Sequence, residues 1–98
     1  MQCVFVQLRC TPGKTYEVAD AIYDREIVSE LYSISGEFDL LAKLYIPEGT
    51  DVGHFINEKL LDIPGITRSL TTMKFKAFSA VAHSVIVTGS SAAIDRAA

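Results

Sequence analysis

Hydrophobic and polar residues alternate along four stretches of the chain, at the period of two that is typical of β-strands. In the first stretch, Val4, Val6 and Leu8 share one face, and Phe5 lies on the other. β-Branched and aromatic residues at this period favour a half-buried strand, because they pack well on a pleated surface. The same reasoning predicts strands over residues 2–10, 27–35, 40–46 and 66–78.

Two other segments place their apolar residues at helical spacing. Residues 14–24 place Val18 and Ile22 on one face of a predicted helix. A second segment with helical spacing of apolar residues begins after Asp51. Thr50 or Asp51 is predicted to cap the second helix, because its side-chain oxygen can accept a free backbone N–H. The order β-α-β-β-α-β predicts a ferredoxin-like α+β domain with two helices on one face of a four-stranded antiparallel sheet.

Large apolar residues occur on both faces of the predicted sheet: Leu40 and Leu44 face one way, and Leu41 and Tyr45 face the other. Two helices cover only one face, so a monomer would leave the second apolar face in water. Burying each Leu-sized side chain contributes roughly 1.5–3 kcal/mol, and several of them outweigh an association cost of about 4–15 kcal/mol. The pattern predicts a face-to-face homodimer, the dimeric α+β barrel. The alternative is that the residues after 78 fold back over that face.

Length and charge narrow the classes of function. The chain has 98 residues, enough for one domain, and its 49% hydrophobic and 21% charged residues are typical of a globular protein. Its 9 basic and 12 acidic side chains give a formal net charge of −3, which argues against direct binding to nucleic acid. No signal peptide and no apolar run long enough to span a bilayer is visible, so we expect a cytoplasmic location and no membrane partner.

Residues that often carry chemistry are few and scattered. Cys3 and Cys10 are separated by an odd number of positions on one strand, which predicts that they point to opposite faces and form no disulfide. We expect neither His54 nor His83 to have a cysteine or carboxylate neighbour at metal-ligand spacing. The sequence also lacks a phosphate-binding glycine loop and a nucleophile elbow. No metal, cofactor or catalytic residue is therefore expected.

The turn between the second and third strands, Ser35-Gly36-Glu37-Phe38-Asp39, is the one segment with the character of a binding site. Gly36 lets the backbone turn at positive φ or approach a ligand closely. Successive turn N–H groups can hold a carboxylate, while Glu37 and Asp39 can accept hydrogen bonds from an ammonium group. The alternative is a plain hairpin turn, in which Gly and Asp serve backbone geometry, and the chemistry alone favours that alternative.

A resemblance to a known family favours the binding-site interpretation of this turn over the plain hairpin. It rests on the segment from Tyr32 to Leu41, with its Gly-x-Phe-Asp turn, and on the segment from Ile63 to Thr71, which opens Ile-Pro-Gly-Ile-Thr. Together they resemble the effector-binding, or regulation-of-amino-acid-metabolism, domain of the Lrp/AsnC regulators, over about residues 2–78. The resemblance implies dimers that pair through their sheets and associate into rings such as octamers. It also implies an amino-acid effector bound between dimers and contacted by Ser35, Gly36, Glu37, Phe38, Asp39 and Thr71.

In that family a helix-turn-helix domain precedes this module, whereas here the first strand follows the initiating methionine. The chain is therefore expected to resemble the stand-alone members. Residues 1–78 would form the ligand-binding domain, and the tail, residues 79–98, would pack on a neighbouring subunit. Such a domain would sense amino acids or related small effectors and modulate transcriptional regulation without binding DNA itself. Co-assembly with full-length regulators is left open.

Two other functions remain open from the sequence. A small dimeric α+β-barrel enzyme, of the oxygenase or isomerase type, shares this fold plan, and fold alone does not choose between functions. His54 is its only candidate on a predicted element, and a histidine inside an apolar pocket larger than about 300 Å³ would favour it. The second rival is a purely structural partner that caps larger regulators.

Overall fold

The fold is that of a computed structural model, which describes residues 1–78; the predicted packing of residues 79–98 on a neighbouring subunit lies outside the described residues. Along the chain the elements are β1 (Gln2–Cys10), α1 (Thr15–Arg25), β2 (Glu30–Ser33), β3 (Leu40–Ile46), α2 (Val52–Lys59) and β4 (Ile66–Met73). The strands form one antiparallel sheet in the order β2-β3-β1-β4. The predicted ferredoxin-like α+β fold is therefore confirmed.

The core lies between the two helices and one face of the sheet. β1 and β3 pair so that alternate residues face the helices, with Val4 opposite Leu44 and Val6 opposite Ala42. All four of these side chains are completely buried. The helical segments and the loop after α2 meet them with Val18, Ile22, Ile56, Leu60 and Ile63. The helices therefore cover one face only, as the alternating pattern predicts.

The loop that leads into β4 packs directly against α1. Gly65 has a φ of +101°, and a Cβ placed on it would lie 2.8 Å from Cγ2 of Val18. Its carbonyl accepts a hydrogen bond of 2.8 Å from the N–H of Thr11, which joins this loop to the turn before α1. Only glycine fits here, because both the backbone angle and the available space exclude a side chain.

An ion pair joins the C-terminal end of α1 to the end of α2. Arg25 donates one hydrogen bond to the carboxylate of Asp62 and another, of 3.1 Å, to the backbone carbonyl of Lys59. The hydrogen bond from Arg25, and its positive charge, hold the pKa of Asp62 below its ordinary value. This contact fixes the loop after α2, which continues into Gly65 and β4.

Two strands are shorter than the sequence predicts. Only Glu30–Ser33 pairs with β3, instead of residues 27–35, because Ile27 and Val28 pack against the core before the chain reaches the sheet edge. β4 ends at Met73 instead of residue 78, since β1 begins at Gln2 and offers almost no further backbone partners. Asp51 occupies the N-cap position of α2, but its side chain makes no hydrogen bond to the helix, so the predicted capping contact is wrong.

The helices leave one face of the sheet, the open face, uncovered. By register its apolar members are Cys3, Phe5, Tyr32, Leu41, Tyr45 and Leu70. Tyr32, Tyr45 and Leu70 remain 52%, 45% and 48% exposed. The apolar character of both faces is therefore confirmed, and the pairing of two subunits through the open face stays a prediction.

A hydrogen-bonded group of side chains lies at the β2 side of the open face. The hydroxyl of Tyr32 donates a hydrogen bond of 2.7 Å to Glu30, and the ammonium of Lys43 lies 3.7 Å from the same carboxylate. Lys43 also lies over the ring of Tyr45, 5.5 Å from its centroid. The Tyr32 hydrogen bond, followed by the Lys43 charge, lowers the pKa of Glu30. The open face thus combines its apolar residues with a defined polar group toward the β2 edge.

Candidate functional site

The turn between β2 and β3 closes with a hydrogen bond of 2.9 Å from the N–H of Ile34 to the carbonyl of Asp39. Within it, Gly36 has a φ of +108°, and a Cβ placed there would have no atom within 4 Å. Ser35 and Glu37 are exposed. The turn therefore needs glycine for its backbone angle, while the space beside that glycine is open to an approaching ligand.

Asp39 ties this turn to the end of β1. Its N–H donates to the carbonyl of Leu8 at 2.8 Å, and its Oδ2 accepts from the N–H of Cys10, also at 2.8 Å. Burial, and then the nearby Asp39 charge, raise the pKa of the Cys10 thiol, which a hydrogen bond with Thr15 partly offsets. One oxygen of the Asp39 carboxylate thus has a structural partner, so only the other is available for the predicted ammonium contact.

Phe38 anchors the turn to the sheet. Its side chain is 6% exposed, and the guanidinium carbon of Arg68 lies 5.4 Å from the ring centroid, the geometry of a cation–π contact. Within a single chain the ring therefore lies under the Arg68 side chain of β4. Its predicted role as pocket lining stays a prediction, and the contact visible within the chain is with an arginine.

Two arginines that the sequence reasoning missed flank this turn. Arg9 and Arg68 are register partners on β1 and β4, so their side chains emerge side by side at the end of the open face. Nη1 of Arg9 donates to the backbone carbonyl of Glu37 at 3.0 Å, and Nη1 of Arg68 lies 3.4 Å from the Glu37 carboxylate. The turn therefore has cationic neighbours that its own residues do not suggest.

Thr71 is not brought to the turn within one chain. It pairs with Val6 on β1, so its side chain alternates to the opposite side of β4 from Arg68. A separation of three residues corresponds to about 10 Å along a strand. Any contact of Thr71 with a ligand at this turn would have to come from another subunit, which is what the resemblance implies.

The histidine required by the enzyme alternative is not in a cavity. His54 lies on the exposed surface of α2 and pairs at 2.9 Å with Glu58, four residues further on, so the expectation that it has no carboxylate neighbour at metal-ligand spacing is wrong. His83 lies outside the described residues. A cavity of about 450 Å³ does open at the far end of the open face, and none of its lining residues is a histidine: Met1, Gln2, Cys3, Tyr45, Glu48, Lys74 and Phe75.

The two cysteines lie on opposite faces of the sheet, as their odd separation predicts. Cys10 belongs to the core cluster and Cys3 to the open face, and neither forms a disulfide, as predicted. Among residues 1–78, no group of three His, Cys, Asp or Glu side chains is placed to hold a metal ion. None of the helices described is both long enough and apolar enough to cross a membrane.

The structure is a ferredoxin-like domain of the α+β class, with an uncovered apolar sheet face and an open glycine turn at the edge of that face. The family model described as the Lrp/AsnC ligand binding domain matches residues 3–82 of this chain. The chain therefore belongs to that family, and the resemblance seen in its turn and in the entry to β4 is confirmed.

Curated relatives are transcriptional regulators of the HTH type. LrpA of Pyrococcus abyssi is 35% identical over 57 residues, which cover 58% of this chain and 40% of LrpA. The regulator PF0250 of Pyrococcus furiosus is 35% identical over 74 residues, which cover 72% of this chain and 49% of PF0250. The chain thus spans half or less of the length of these relatives.

Solved structures agree with the fold. TTHA0845 from Thermus thermophilus superposes with a TM-score of 0.72 at 25% identity, covering 81% of this chain and 99% of that one. The hypothetical protein PHS023 from Pyrococcus horikoshii gives a TM-score of 0.68 at 28% identity, over 79% of this chain and 93% of that one. The Neisseria meningitidis regulator NMB0573, solved in complex with L-Met, gives 0.69 at 18% identity, over 80% and 52%, and shows the fold alone.

Proposed function

We propose that this chain is an effector-binding domain that takes amino acids or related small molecules at the turn of residues 35–39 and so modulates transcriptional regulation. The observation that carries the proposal is the family match over residues 3–82, together with the open space beside Gly36 in that turn. The curated relatives are transcriptional regulators, which supports a regulatory role over an enzymatic one. The exposed position of His54 also speaks against the oxygenase or isomerase alternative.

The chemistry of the turn suits an amino acid. Exposed turn N–H groups beside Gly36 can donate to its carboxylate. The free oxygen of the Asp39 carboxylate, and the exposed carboxylate of Glu37, can accept from its ammonium group. NMB0573, which shares this fold, was solved with L-Met bound, and this supports an amino acid as the class of ligand to test first.

We further propose that two copies pair through the open face and that the dimers associate into a ring such as an octamer. Tyr32, Tyr45 and Leu70 are each about half exposed in one chain, and covering them removes apolar surface from water. A contact between dimers is the arrangement in which Thr71 of one subunit can reach the turn of another.

Direct DNA binding is not part of the proposal. The formal net charge of −3 gives the chain no overall attraction to a phosphate backbone. The domain would instead act in the cytoplasm through its effector, alone or in assembly with DNA-binding regulators. Gel shifts with and without a full-length relative would distinguish these two modes.

A panel of amino acids tested by thermal shift and calorimetry examines the effector proposal. Because ligand binds only the folded form, a concentration of 100 times Kd stabilises by about 2.7 kcal/mol and raises Tm by roughly 10–20 °C in a domain of this size. Absence of any shift at millimolar concentrations, across the panel, would count against the proposal.

Variants of Asp39 separate its structural role from its proposed ligand role. Asp39→Asn removes the charge but keeps an oxygen that can accept from the N–H of Cys10, whereas Asp39→Ala removes both. We expect Asp39→Asn to fold stably and lose the ligand-induced shift, and Asp39→Ala to lose stability as well. Asp20→Asn, on the exposed face of α1, is the matched control that should keep the full shift. An unchanged shift in Asp39→Asn would remove this carboxylate from the site.

Sedimentation analysis tests pairing through the open face. Leu70→Lys places a charge on the β4 part of the open face, and we expect a loss of dimer because the charge would be buried unpaired in the proposed interface. Tyr23→Lys is the matched control, since this side chain is more exposed, at 73%, but lies on α1. Dissociation by Tyr23→Lys and not by Leu70→Lys would place the interface on the helices instead.

A further inference from the structure

Arg9 and Arg68 place two like charges directly opposite each other, with the Glu37 carboxylate beside Arg68. As register partners on antiparallel strands, their Cβ atoms lie roughly 5 Å apart on the same face, and like charges directly opposite one another are destabilising. Arg68 keeps 58% of its side chain exposed, and Arg9 is also exposed. Two guanidinium groups in this position form a site that an anion would stabilise.

Their hydrogen-bonding capacity is largely unused within residues 1–78. Each guanidinium has five N–H donors and no acceptor, and each makes one hydrogen bond here, both to Glu37. The contact from Arg68 to the Glu37 carboxylate is 3.4 Å, at the long end of hydrogen-bond distance, so a ligand can displace it at small cost. The other nearby carboxylate, Asp39, is partly committed to the N–H of Cys10. The hydrogen-bonding groups without a partner at this end of the open face are therefore mainly the N–H donors of the two arginines.

The two guanidiniums are also restrained before any ligand arrives. Arg68 lies over the buried ring of Phe38, 5.4 Å from its centroid, and Arg9 is held by the backbone carbonyl of Glu37 at 3.0 Å. Restrained arginines lose little freedom when they bind, and their planar forks match a carboxylate in two parallel hydrogen bonds. The pair thus presents two restrained cations, side by side, to an approaching carboxylate.

We propose that Arg9 and Arg68 form a second anion subsite beside the turn and make the preferred effector acidic: an amino acid with a second, side-chain carboxylate. The inference rests on the proposed function and adds the class of effector. One carboxylate is held by the N–H groups beside Gly36, and the other by the arginine pair. The same chemistry is available from a carboxylate side chain of a second copy at the edge of the interface, which the experiment must separate from a free ligand.

Matched pairs of ligands test the proposal by calorimetry: L-glutamate against L-glutamine and L-aspartate against L-asparagine, at equal ionic strength. In each pair the two ligands have nearly the same shape and differ in one charge. We expect at least one acid to bind about tenfold tighter than its amide, because hydrogen bonds to ionised groups are roughly twice as strong as neutral ones. Arg68→Gln should abolish that preference, and Arg68→Lys should retain part of it, since it keeps the charge but loses the fork. Lys59→Gln, an exposed cation on α2, should leave the preference unchanged.

Three results would contradict the proposed subsite, and each does so for a different reason. If amides or other neutral amino acids bind at least as well as acids, and Arg68→Gln does not alter this, the acidic preference is overturned while the effector proposal stands. If no amino acid binds, the proposed function itself fails and the preference fails with it. If no acid is preferred and Arg68→Gln lowers the oligomer mass in sedimentation, the carboxylate comes from a second copy, and the free-ligand subsite is overturned.

Discussion

Gly65 offers the sharpest test of how this fold is held together. The residue has a φ of +101° and lies against α1, with a Cβ position 2.8 Å from Cγ2 of Val18. Gly65→Ala therefore introduces two separate penalties, one from the backbone angle and one from the close contact. The rest of the loop remains fixed, because the Gly65 carbonyl still accepts from Thr11.

The size of the effect follows from these two penalties. A residue with a Cβ at such a backbone angle costs about 1–3 kcal/mol. Overpacking against a rigid neighbour adds about 1–3 kcal/mol, and Val18, at 1% exposure, has no room to move away. The sum, about 2–6 kcal/mol, is a large part of the roughly 5–15 kcal/mol that stabilises a folded domain.

Gly36→Ala is the matched control, since Gly36 has a φ of +108° but no atom within 4 Å of its Cβ position. It should lose only the backbone part, about 1–3 kcal/mol. A difference of about 2 kcal/mol between the two variants corresponds to roughly 8–16 °C in Tm. Urea denaturation followed by circular dichroism, at one protomer concentration because association shifts apparent stability, measures both variants.

A double-mutant cycle isolates the contact itself. Val18→Ala removes the Cγ2 atom that the new methyl group would meet, so Gly65→Ala should cost less in that background than alone. An additive cycle, or equal losses for Gly65→Ala and Gly36→Ala, would refute the claim that close packing requires glycine at this position.

Three further predictions concern the ion pair, the core and the thiols. The pKa of Asp62 in the folded protein lies below its ordinary value of 3.8, so the pair with Arg25 stabilises the fold at pH values above 3.8. That stabilisation is lost as the pH falls through the lower pKa of the folded state. The Tm difference between Asp62→Asn and the parent protein should therefore shrink on acidification, and a constant difference would contradict this. Leu44→Ala, at a completely buried position, should cost about 2–5 kcal/mol in urea denaturation, and a loss near zero would place that side chain outside the core. In a Cys3→Ser background, iodoacetamide should label Cys10 at least about 100-fold more slowly in buffer than in urea, because burial and the Asp39 charge raise its pKa; equal rates would contradict that protection.

The fold was predictable from sequence where residues alternate in a strand that is paired on both sides. β1 has the predicted bounds, because its alternation reflects burial between the helices and the open face over its full length. β2 and β4 are edge strands, and their ends depend on where the neighbouring strand stops. The apolar residues Ile27 and Val28 pack against the core but do not pair with β3, so the period-two pattern predicts too long a strand.

The candidate site was predictable only where its chemistry is local. The turn is visible in sequence because Gly36 and the acids that follow it are neighbours along the chain. Arg9 and Arg68 are far apart in sequence and meet only through the register of β1 with β4, which shifts at the very next position. The partner of Asp39 is a backbone N–H, and a backbone group leaves no signature in the residue pattern.

The turn is rigid on the sides that face the protein and open on the side that faces solvent. Asp39 joins it to β1 through two hydrogen bonds, Phe38 is buried beneath Arg68, and Arg9 holds the carbonyl of Glu37. A site fixed in this way binds a ligand without first having to order its own backbone, which lowers the entropic cost of binding. Because the same two arginines stand at the end of the open face, a ligand that engages them changes the charge at the edge of the proposed dimer interface. If the proposed ligand and the proposed dimer both engage these arginines, each must alter the affinity of the other to the same degree.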